Sequence, residues 1–533
     1  MRRWLTAVAW AVGVVAAFAL NLRLSQTTPA NSDGASQGLQ AWDLLHANVL
    51  LHGWITGDVA YFPNDVSVYA LIDLVHGLNQ DAVHWYGALM YTLAMLLAAL
   101  LAMGRAGEAP GRVRLARGAV AAGIMIAPQF QAGVYALLQG PDHFGTAVPV
   151  LLAWLILDRA RPRWYVPVII ALIIAITGIA DLTALVTAAI PLLAVCAYRV
   201  LRARVLRRQS LGSQHYETSL AVAGLAAAVI SNEGPRILAA IGSLTQVAPI
   251  TQLAPLHVIF WHNFRVAGLC LLVLAGADFA GVHPPLRAGF EVLHLTGAAL
   301  GACAILIAAW RFLRDNDVIS QLLLAGIAAN LLTFVVGTHA EEITFTREIS
   351  DVLPFAAALA GRLLARRLLA LRLVPVLAVV LCGYLAGLGY EVRQPVLPAQ
   401  NQQLVSWLED HGLHHGLSGY WAANAVTLAS REHVRILALN RQGGKFIPAT
   451  QLVKREWLDP KVSSASFVVF FPTIVGSKPF TGFTGMVGFP YEQTAIATFG
   501  RPARIYHYEQ YTIYVWNKNL LADMGGPVVP AAG

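Results

Sequence analysis

Long apolar runs alternate with short arginine-rich segments along most of this chain. The first run extends from Trp4 to Leu22, and 57% of the 533 residues are hydrophobic while only 12% are charged. A helix of about 20 apolar residues is long enough to cross the hydrocarbon core of a bilayer. We therefore predict a mainly α-helical integral protein of the cell membrane, built as a polytopic helical bundle.

The arginine clusters predict the orientation of this bundle, because Lys and Arg accumulate in cytoplasmic loops. Arg112, Arg114 and Arg117 follow the second run, and comparable clusters return between later runs. Cleavage of the first run as a signal peptide, at Ala17-Phe18-Ala19, stays an open alternative. The pattern predicts a cytoplasmic amino terminus, an extracytoplasmic carboxyl terminus and about eleven spans: Trp4–Leu22, Trp85–Met103, Ala119–Leu138, Gly145–Leu157, Val166–Ile179, Leu182–Ala197, Leu220–Ile230, Leu293–Trp310, Ile319–Val336, Val352–Leu364 and Leu371–Tyr390.

One apolar stretch, Val266 to Ala277, does not fit this alternation. As a span it would place Arg311 and Arg314 on the outer side, against the positive-inside pattern. We predict a re-entrant or interfacial path for it, and whether residues 264–280 cross the membrane stays open.

The charge balance and the cysteines argue against two further classes of function. The formal net charge is +8, but the sequence has no basic face with interleaved aromatic residues, so nucleic-acid binding is not predicted. All four cysteines lie inside apolar runs without CxxC spacing. The sequence therefore indicates neither a disulfide framework nor a zinc site.

The first outer loop, about residues 23–84, combines apolar and polar residues at helical spacing. This pattern occurs from Leu39 to Trp54 and again from Val66 to Leu78. Amphipathic stretches of this kind lie in the plane of the membrane surface. We predict one or two membrane-parallel helices in this loop.

After Val392 the composition changes from apolar to mixed. We predict a transmembrane domain at residues 1–392, a linker at 393–400 and a soluble extracytoplasmic α/β domain at 401–533, which is long enough to bury a core. Helix-like segments are Leu404–His411 and Trp421–Ser430, and strand-like segments are Val434–Leu439, Phe467–Phe471, Ala503–Tyr508 and Tyr511–Trp516.

Ionisable residues near the predicted outer ends of the spans are the candidates for chemistry. Asp33 follows the first run, in Asn31-Ser32-Asp33-Gly34, and Asp142 and His143 occupy the short turn Gly140-Pro141-Asp142-His143. Such groups are costly at helix ends that face a bundle interior, and they are functional candidates for that reason. A solvated loop position is the alternative for each of them, and we prefer it for the loop His339-Ala340-Glu341-Glu342 over a metal site.

This layout resembles the multi-pass glycosyltransferases of the C class (the GT-C superfamily), which include protein O-mannosyltransferases, oligosaccharyltransferases and aminoarabinose transferases. The resemblance rests on Asp33 in the first outer loop, the run from Leu39 to Leu78, the turn at Asp142, and the outer domain. The segment from Phe345 to Arg362 is also similar to a late span of that superfamily. The resemblance implies a polyprenyl-phosphate-linked sugar as donor. The lone Asp33 departs from members with paired acids, so a divalent cation as cofactor stays open.

Physical roles follow for an enzyme of this kind. Asp33 is placed to take the proton of an attacking acceptor hydroxyl. Arg347 would bind the donor phosphate through its planar guanidinium, with Arg265 in reserve. Asp142, with His143 beside it, would orient the acceptor or help to hold a divalent ion. Two aromatic residues of the outer domain, Tyr420 and Trp421, are candidates for a contact with the sugar, because aromatic faces stack on sugar rings, and a place in the domain core is the alternative for both.

We predict an inverting glycosyltransferase that moves a monosaccharide to an extracytoplasmic glycan, lipid or protein acceptor. Two alternatives stay open. A transporter or flippase of a lipid-linked saccharide would predict charged residues deep within the spans, whose centres are nearly uncharged. A non-catalytic cell-envelope binding protein would need only one span as an anchor. The Ala-, Arg- and Gly-rich composition is typical of a bacterial protein of high genomic GC content.

Overall fold

The computed structural model describes residues 2–140, 143–207, 214–247, 252–279, 284–314, 317–397, 400–472 and 489–524. The chain is mainly α-helical up to the linker, and its carboxyl-terminal part contains most of the strands. This division confirms the predicted fold class, a polytopic helical bundle followed by an α/β domain. The helices up to the linker are α1 (Arg2–Ser25), α2 (Ser32–Leu45), α3 (Asn64–His76), α4 (Asp81–Met103), α5 (Gly111–Ile126), α6 (Ala132–Leu138), α7 (Ala147–Arg159), α8 (Tyr165–Ala180), α9 (Ile190–Arg207), α10 (His215–Ala240), α11 (Leu256–Val258), α12 (Phe264–Leu274), α13 (Pro285–Arg311), α14 (Val318–Val336), α15 (Val352–Ala370) and α16 (Val374–Glu391).

Six helices of the described ranges are long and apolar enough to cross a membrane. The protein is therefore a multi-pass membrane protein, while the number of eleven spans and their orientation stay predictions. The six are Asp81–Met103, Leu185–Val205, Leu256–Leu274, Pro285–Arg311, Val318–Val336 and Val374–Glu391.

The predicted span Ala119–Leu138 is wrong, because the helix is interrupted in its second half. Helix α5 ends at Ile126, and Ala127 has the extended backbone angles φ −54° and ψ 131°. Pro128 follows, and proline disfavours the helical conformation of the residue before it. Gln131 then has φ +39° before α6 begins. The loop between α5 and α6 packs against α13, where Nε2 of His294 lies 2.8 Å from the carbonyl oxygen of Pro128.

The first outer loop contains the two helices that its pattern predicts, α2 and α3, although their boundaries differ. Helix α2 starts earlier than predicted and ends at Leu45, and Trp54 belongs to strand β1 (Trp54–Thr56). Helix α3 leaves three large apolar side chains exposed, as expected for a helix against a membrane surface: Leu71, Leu74 and Val75.

The stretch between α11 and α12 is a π-helical segment, Ile259–Asn263, so the helix continues from Leu256 to Leu274. Near its start, a ring nitrogen of His262 lies 2.9 Å from the carbonyl oxygen of Glu341. Beyond its end, the Asp278 carboxylate accepts a hydrogen bond from the backbone N–H of Ala132 at 3.3 Å. The stretch Leu256–Leu274 is one of the six helices long and apolar enough to cross a membrane, so its re-entrant or interfacial path stays a prediction.

A buried ion network marks the opposite end of the bundle. Arg362 of α15 lies 2.9 Å from a carboxylate oxygen of Asp317 and 3.6 Å from one of Asp158. We call this the arginine end, and we call the end that carries Asp33, Asp181 and Glu348 the acidic end.

The carboxyl-terminal part forms a six-stranded mixed sheet in the order β5-β4-β3-β7-β9-β8. Strands β4, β3 and β7 are parallel neighbours, and the outer pairs are antiparallel. The predicted helical and strand-like segments are confirmed there. The elements are α17 (Gln400–Asp410), β3 (His415–Ser418), α18 (Tyr420–Ala429), β4 (Arg435–Gln442), β5 (Lys445–Pro448), β6 (Val453–Lys454), β7 (Phe467–Phe470), α19 (Glu492–Phe499), β8 (Arg504–Tyr508), β9 (Tyr511–Val515) and α20 (Leu520–Asp523).

A second, three-stranded sheet joins this part to the loops of the bundle. Strand β1 of the first outer loop pairs in parallel with β2 (Thr245–Gln246) and antiparallel with β6. Lys454 of β6 forms an ion pair with Asp43 of α2 at 2.6 Å. Helix α18 also packs on α2. The carboxyl-terminal part with the six-stranded sheet, which we call the sheet domain, is thus held against α2, the helix that carries Asp33 in its first turn.

Candidate active site

Asp33 lies in the first turn of α2. Asn31 caps this helix, and its side-chain oxygen accepts the backbone N–H of Gly34 at 2.7 Å. The positive end of the helix dipole favours a negative charge at this position. The Asp33 side chain is 15% exposed, so it lies at the edge of the folded core and not in a solvated loop.

Two groups from distant parts of the chain contact this carboxylate. A guanidinium nitrogen of Arg347 lies 4.0 Å from Oδ2 of Asp33. The hydroxyl of Tyr420 donates a hydrogen bond to Oδ1. Burial, together with the negative charge of Asp33, raises the pKa of Tyr420 well above its ordinary value, which keeps the phenol protonated as a donor.

Arg347 belongs to a short 3-10 segment, Ile343–Ile349, between α14 and α15. Its Nε atom lies 3.9 Å from the neighbouring Glu348 carboxylate, and its guanidinium stands over the ring of Phe345 at 5.8 Å. The cation is therefore held between two carboxylates, those of Asp33 and Glu348. Its side chain is 26% exposed, which leaves it accessible to an anionic ligand.

His143 connects this pair to a second, deeper group of charges. Its Nδ1 lies 3.0 Å from Oδ2 of Asp181, and its Nε2 lies 3.3 Å from Oε2 of Glu348. Asp181 also accepts hydrogen bonds from the Thr146 hydroxyl at 2.7 Å and from the backbone N–H of Thr183 at 2.9 Å. The His143 residue has φ +63°, a left-handed conformation that turns the ring toward both acids.

These three groups are charged in the folded protein. Burial works to lower the pKa of His143, but the negative charges of Glu348 and Asp181 outweigh it, so this pKa is well above its usual value. Burial works to raise the pKa of Glu348 and of Asp181, but the positive charge of His143 outweighs it, so both are lowered. An imidazolium between two carboxylates is the result.

Two further buried acids surround this group and behave differently. Burial, followed by the charge of Asp181, raises the pKa of Asp351 to about 7. Burial also raises the pKa of Asp65 to about 7, although the Tyr86 hydroxyl donates a hydrogen bond to it. The acidic end thus holds more carboxyl groups than it can keep ionised near neutral pH.

A cavity of about 310 Å³ opens beside this charge group. Its wall combines charged, amide and hydroxyl side chains with the ring of Phe334 and with four aliphatic side chains, those of Val59, Leu182, Leu185 and Val186. The polar part of the wall consists of Asp58, His143, Asp181, Thr183, Asn330, Thr333, His339 and Glu348. Carboxylates, amides and hydroxyls are the groups that can hydrogen-bond a ligand rich in hydroxyls. His339 also contacts Glu348 at 3.9 Å, so it belongs to this wall and not to a purely solvated loop.

A second cavity, also about 310 Å³, is almost wholly apolar. It lies between α5, α13, α15 and α16, and Ile124, Leu300 and Tyr384 are among its lining residues. Its chemistry suits a hydrocarbon chain, because it offers dispersion contacts and few polar partners.

The structure brings Asp33, Arg347 and Tyr420 together, and connects His143 to them through Glu348. Asp142 lies outside the described residues. Arg265 is exposed at the start of α12, and Trp421 is half-buried with its ring 5.2 Å from that of Tyr420. Within the described part of the chain, no group of three or more His, Cys, Asp or Glu side chains is arranged to hold a metal ion.

Sequence reasoning did not assign a role to Glu348 or to the pairing of Asp181 with His143. The signal for Glu348 was its position directly after Arg347, and Asp181 lies in a predicted outer turn. The sequence position of neither residue reveals which charged groups surround it in the fold, because those groups come from other loops. The role predicted for Tyr420 did not include a contact with Asp33.

No protein-family model matches this chain, and no curated protein matches it in sequence. Among solved structures, ArnT from Cupriavidus metallidurans, bound to undecaprenyl phosphate, is similar over 98% of this chain and 100% of its own, with a TM-score of 0.53 and 12% identity. The oligosaccharyltransferase AglB from Archaeoglobus fulgidus, in complex with an inhibitory peptide and a dolichol-phosphate, is similar over 96% of this chain and 74% of its own, with a TM-score of 0.49 and 13% identity. The similarity to ArnT covers nearly all of this chain, with the helical bundle and the sheet domain both included. The chain therefore has the fold of the C-class membrane glycosyltransferases that its sequence resembles.

Proposed function

We propose that this protein is an inverting glycosyltransferase that moves a monosaccharide from a polyprenyl-phosphate donor to an extracytoplasmic acceptor. The observation that carries the proposal is the pairing of Asp33 with Arg347 at 4.0 Å, at the acidic end of the bundle. A base and an anion-binding cation are the two groups that such a transfer needs side by side.

The reaction follows from these two roles. The acceptor hydroxyl oxygen attacks the anomeric carbon while a carboxylate oxygen of Asp33 takes its proton. The bond from the anomeric carbon to the phosphate oxygen breaks, and the phosphate leaves with the bonding electrons. Arg347 stabilises the charge that grows on this phosphate, because its guanidinium stays protonated and can bind two oxygens at once. Displacement in one step inverts the anomeric configuration, by analogy with the one-step glycosidases.

The two cavities support the placement of the donor. The cavity beside His143 and Glu348 has room for a monosaccharide, and the polar side chains in its largely apolar wall offer hydrogen bonds to sugar hydroxyls. The apolar cavity between α13 and α16 offers a surface for a polyprenyl chain. We infer that residues 1–392 bind the donor, and that residues 401–533 form a domain on the extracytoplasmic side that closes the site over the acceptor.

The test is transfer of labelled sugar from polyprenyl-phosphate donors by the purified protein, native or with Asp33→Asn. The substitution keeps the shape of the side chain but removes the base, so we expect transfer to fall about 100- to 10,000-fold. Asp410→Asn is the matched control, because Asp410 is exposed at the end of α17.

Equal folded amounts are verified by gel filtration in detergent. If Asp33→Asn transfers sugar at the native rate, Asp33 is not the base. If the native protein transfers none across a broad panel of donors, the proposed activity is wrong.

A further inference from the structure

The two carboxylate oxygens of Asp33 have different partners. Oδ1 accepts the hydrogen bond from the Tyr420 hydroxyl, and Oδ2 is the oxygen that faces Arg347. Tyr420 is the first residue of α18, so the hydroxyl that donates this hydrogen bond belongs to the sheet domain and not to the bundle. The sheet domain therefore contributes a polar contact to the site proposed for chemistry.

The position of Tyr420 is fixed by an extensive contact between the sheet domain and the first outer loop. Leu428 of α18 packs so close to Gly38 of α2 that a Cβ at position 38 would lie 3.3 Å from it. The pairing of β1 with β6 and the ion pair of Lys454 with Asp43 hold the same two parts together. A hydroxyl that is held rigidly can restrict the rotation of the carboxylate to which it donates, because a hydrogen bond has a preferred direction.

We propose that Tyr420 is a positioning residue, which holds the Asp33 carboxylate through Oδ1 so that Oδ2 is directed at the acceptor hydroxyl. This inference rests on the proposed function and adds to it a role for the sheet domain. The domain is then part of the catalytic machinery, because the seating of α18 on α2 sets the orientation of the base. The phenol itself does not touch the reacting atoms.

The positioning role differs from the sugar-stacking role that the sequence predicted for Tyr420. A stacking residue contributes its ring, which phenylalanine retains, and acts on substrate binding. A positioning residue contributes its hydroxyl, which phenylalanine lacks, and acts on the rate of the bound complex. Errors of about 1 Å in the placement of a reacting group cost about 100-fold in rate.

The first experiment compares Tyr420→Phe with the native protein in steady-state transfer. We expect kcat to fall about 10- to 100-fold, with KM for donor and acceptor changed less than twofold. Tyr508→Phe is the matched control, because Tyr508 is a half-buried phenol of the same domain whose ring stacks on Trp407 at 5.4 Å. Unchanged kcat, or a loss confined to KM, would overturn the positioning role.

The second experiment does not depend on enzymatic activity. Thermal unfolding midpoints are measured for Tyr420→Phe, Asp33→Ala and the double variant, because alanine removes the oxygen that accepts the hydrogen bond and two groups in contact give non-additive effects. We expect the unfolding midpoint of the double variant to fall by less than the sum of the falls in the two single variants. Additive losses would show that the contact is absent, and they would overturn the inference even if the protein proves to be a glycosyltransferase. Absent transfer by the native protein would instead reject the proposed function, and the positioning role with it, while the unfolding cycle still reports on the contact.

Discussion

Asp351 is a carboxyl group buried at the start of α15, only 1% exposed. Burial, and then the charge of Asp181, raises its pKa to about 7 in the folded protein. An aspartate in an unfolded chain has a pKa of about 3.9. Between these two values the folded state holds a proton that the unfolded state has lost. The free energy of unfolding therefore falls as the pH rises from about 4 to about 7.

Asp351→Asn removes this loss of stability at higher pH, because the amide has a similar shape to the carboxyl group and never carries a charge. We expect the variant to be more stable than the native protein, by an amount that grows between pH 4 and 7 and then levels off at about 3–5 kcal/mol. Thermal unfolding in detergent over this pH range measures the difference. Asp410→Asn should show no such trend, and a stability gain at pH 4 as large as that at pH 8 would contradict the buried-acid explanation.

At the scale of single residues, the sequence selected Asp33 and Arg347 as candidates because both lie at predicted outer ends of spans, and the structure places the two side chains 4.0 Å apart. It assigned no role to Glu348 and did not foresee the contact of Tyr420 with Asp33. The reason is physical: the pKa and the role of a buried group depend on which charges surround it. Those neighbours come from separate loops, whose mutual placement is set by packing of the helices and not by local residue pattern.

At the scale of secondary-structure elements, the start of α2 is the part that determines where Asp33 lies. Gly34 sits where a Cβ atom would collide with the carbonyl oxygen of Gly140 and approach Val83 Cγ1 to 2.8 Å. Only glycine lets α2 pack so close to the loop that leads to His143. The first turn of α2 and the turn after α6 are thus fitted to each other.

Gly34→Ala should separate these two turns. The backbone oxygen of Gly140 cannot rotate away, so we expect a loss of about 1–3 kcal/mol in stability and a fall of about 100-fold in sugar transfer from displacement of Asp33. Gly13→Ala is the control, because nothing lies within 4 Å of a Cβ at that position of α1. Transfer by Gly34→Ala at the native rate would show that the spacing of the two turns does not matter.

The elements that the sequence predicted well have uniform patterns, such as the long apolar helices α4 and α14 and the short strands β7 and β9. The interruption at Pro128 was missed because the apolar composition continues through it, so composition favoured one span. Strand β1 was missed for a different reason. Its three residues become a strand only because β2 and β6, which are remote in the chain, pair with it.

At the scale of the whole molecule, the sheet domain is connected to the bundle by more than its linker. Strand β6 pairs with β1, α18 packs on α2, and Lys454 meets Asp43 at 2.6 Å with both side chains about one-sixth exposed. Near the linker, the backbone N–H of Leu397 donates to the carbonyl oxygen of Gln26 at 3.0 Å. The composition change after Val392 predicted the linker, but it gave no sign of this contact, which involves residues far from the boundary.

A protease site inserted in the linker, between Arg393 and Asn401, tests whether the contact holds without a covalent connection. We expect the two fragments to stay together on gel filtration in detergent after cleavage, because the contact combines strand pairing, helix packing and a largely buried ion pair. Lys454→Glu is the informative variant, since it sets a second carboxylate against Asp43, and breaking a buried pair costs about 3–5 kcal/mol. Cleaved Lys454→Glu should then release the sheet domain and lose transfer with it, because Tyr420 leaves together with α18. Separation of the fragments in the cleaved native protein would show instead that the linker alone holds the domain over Asp33.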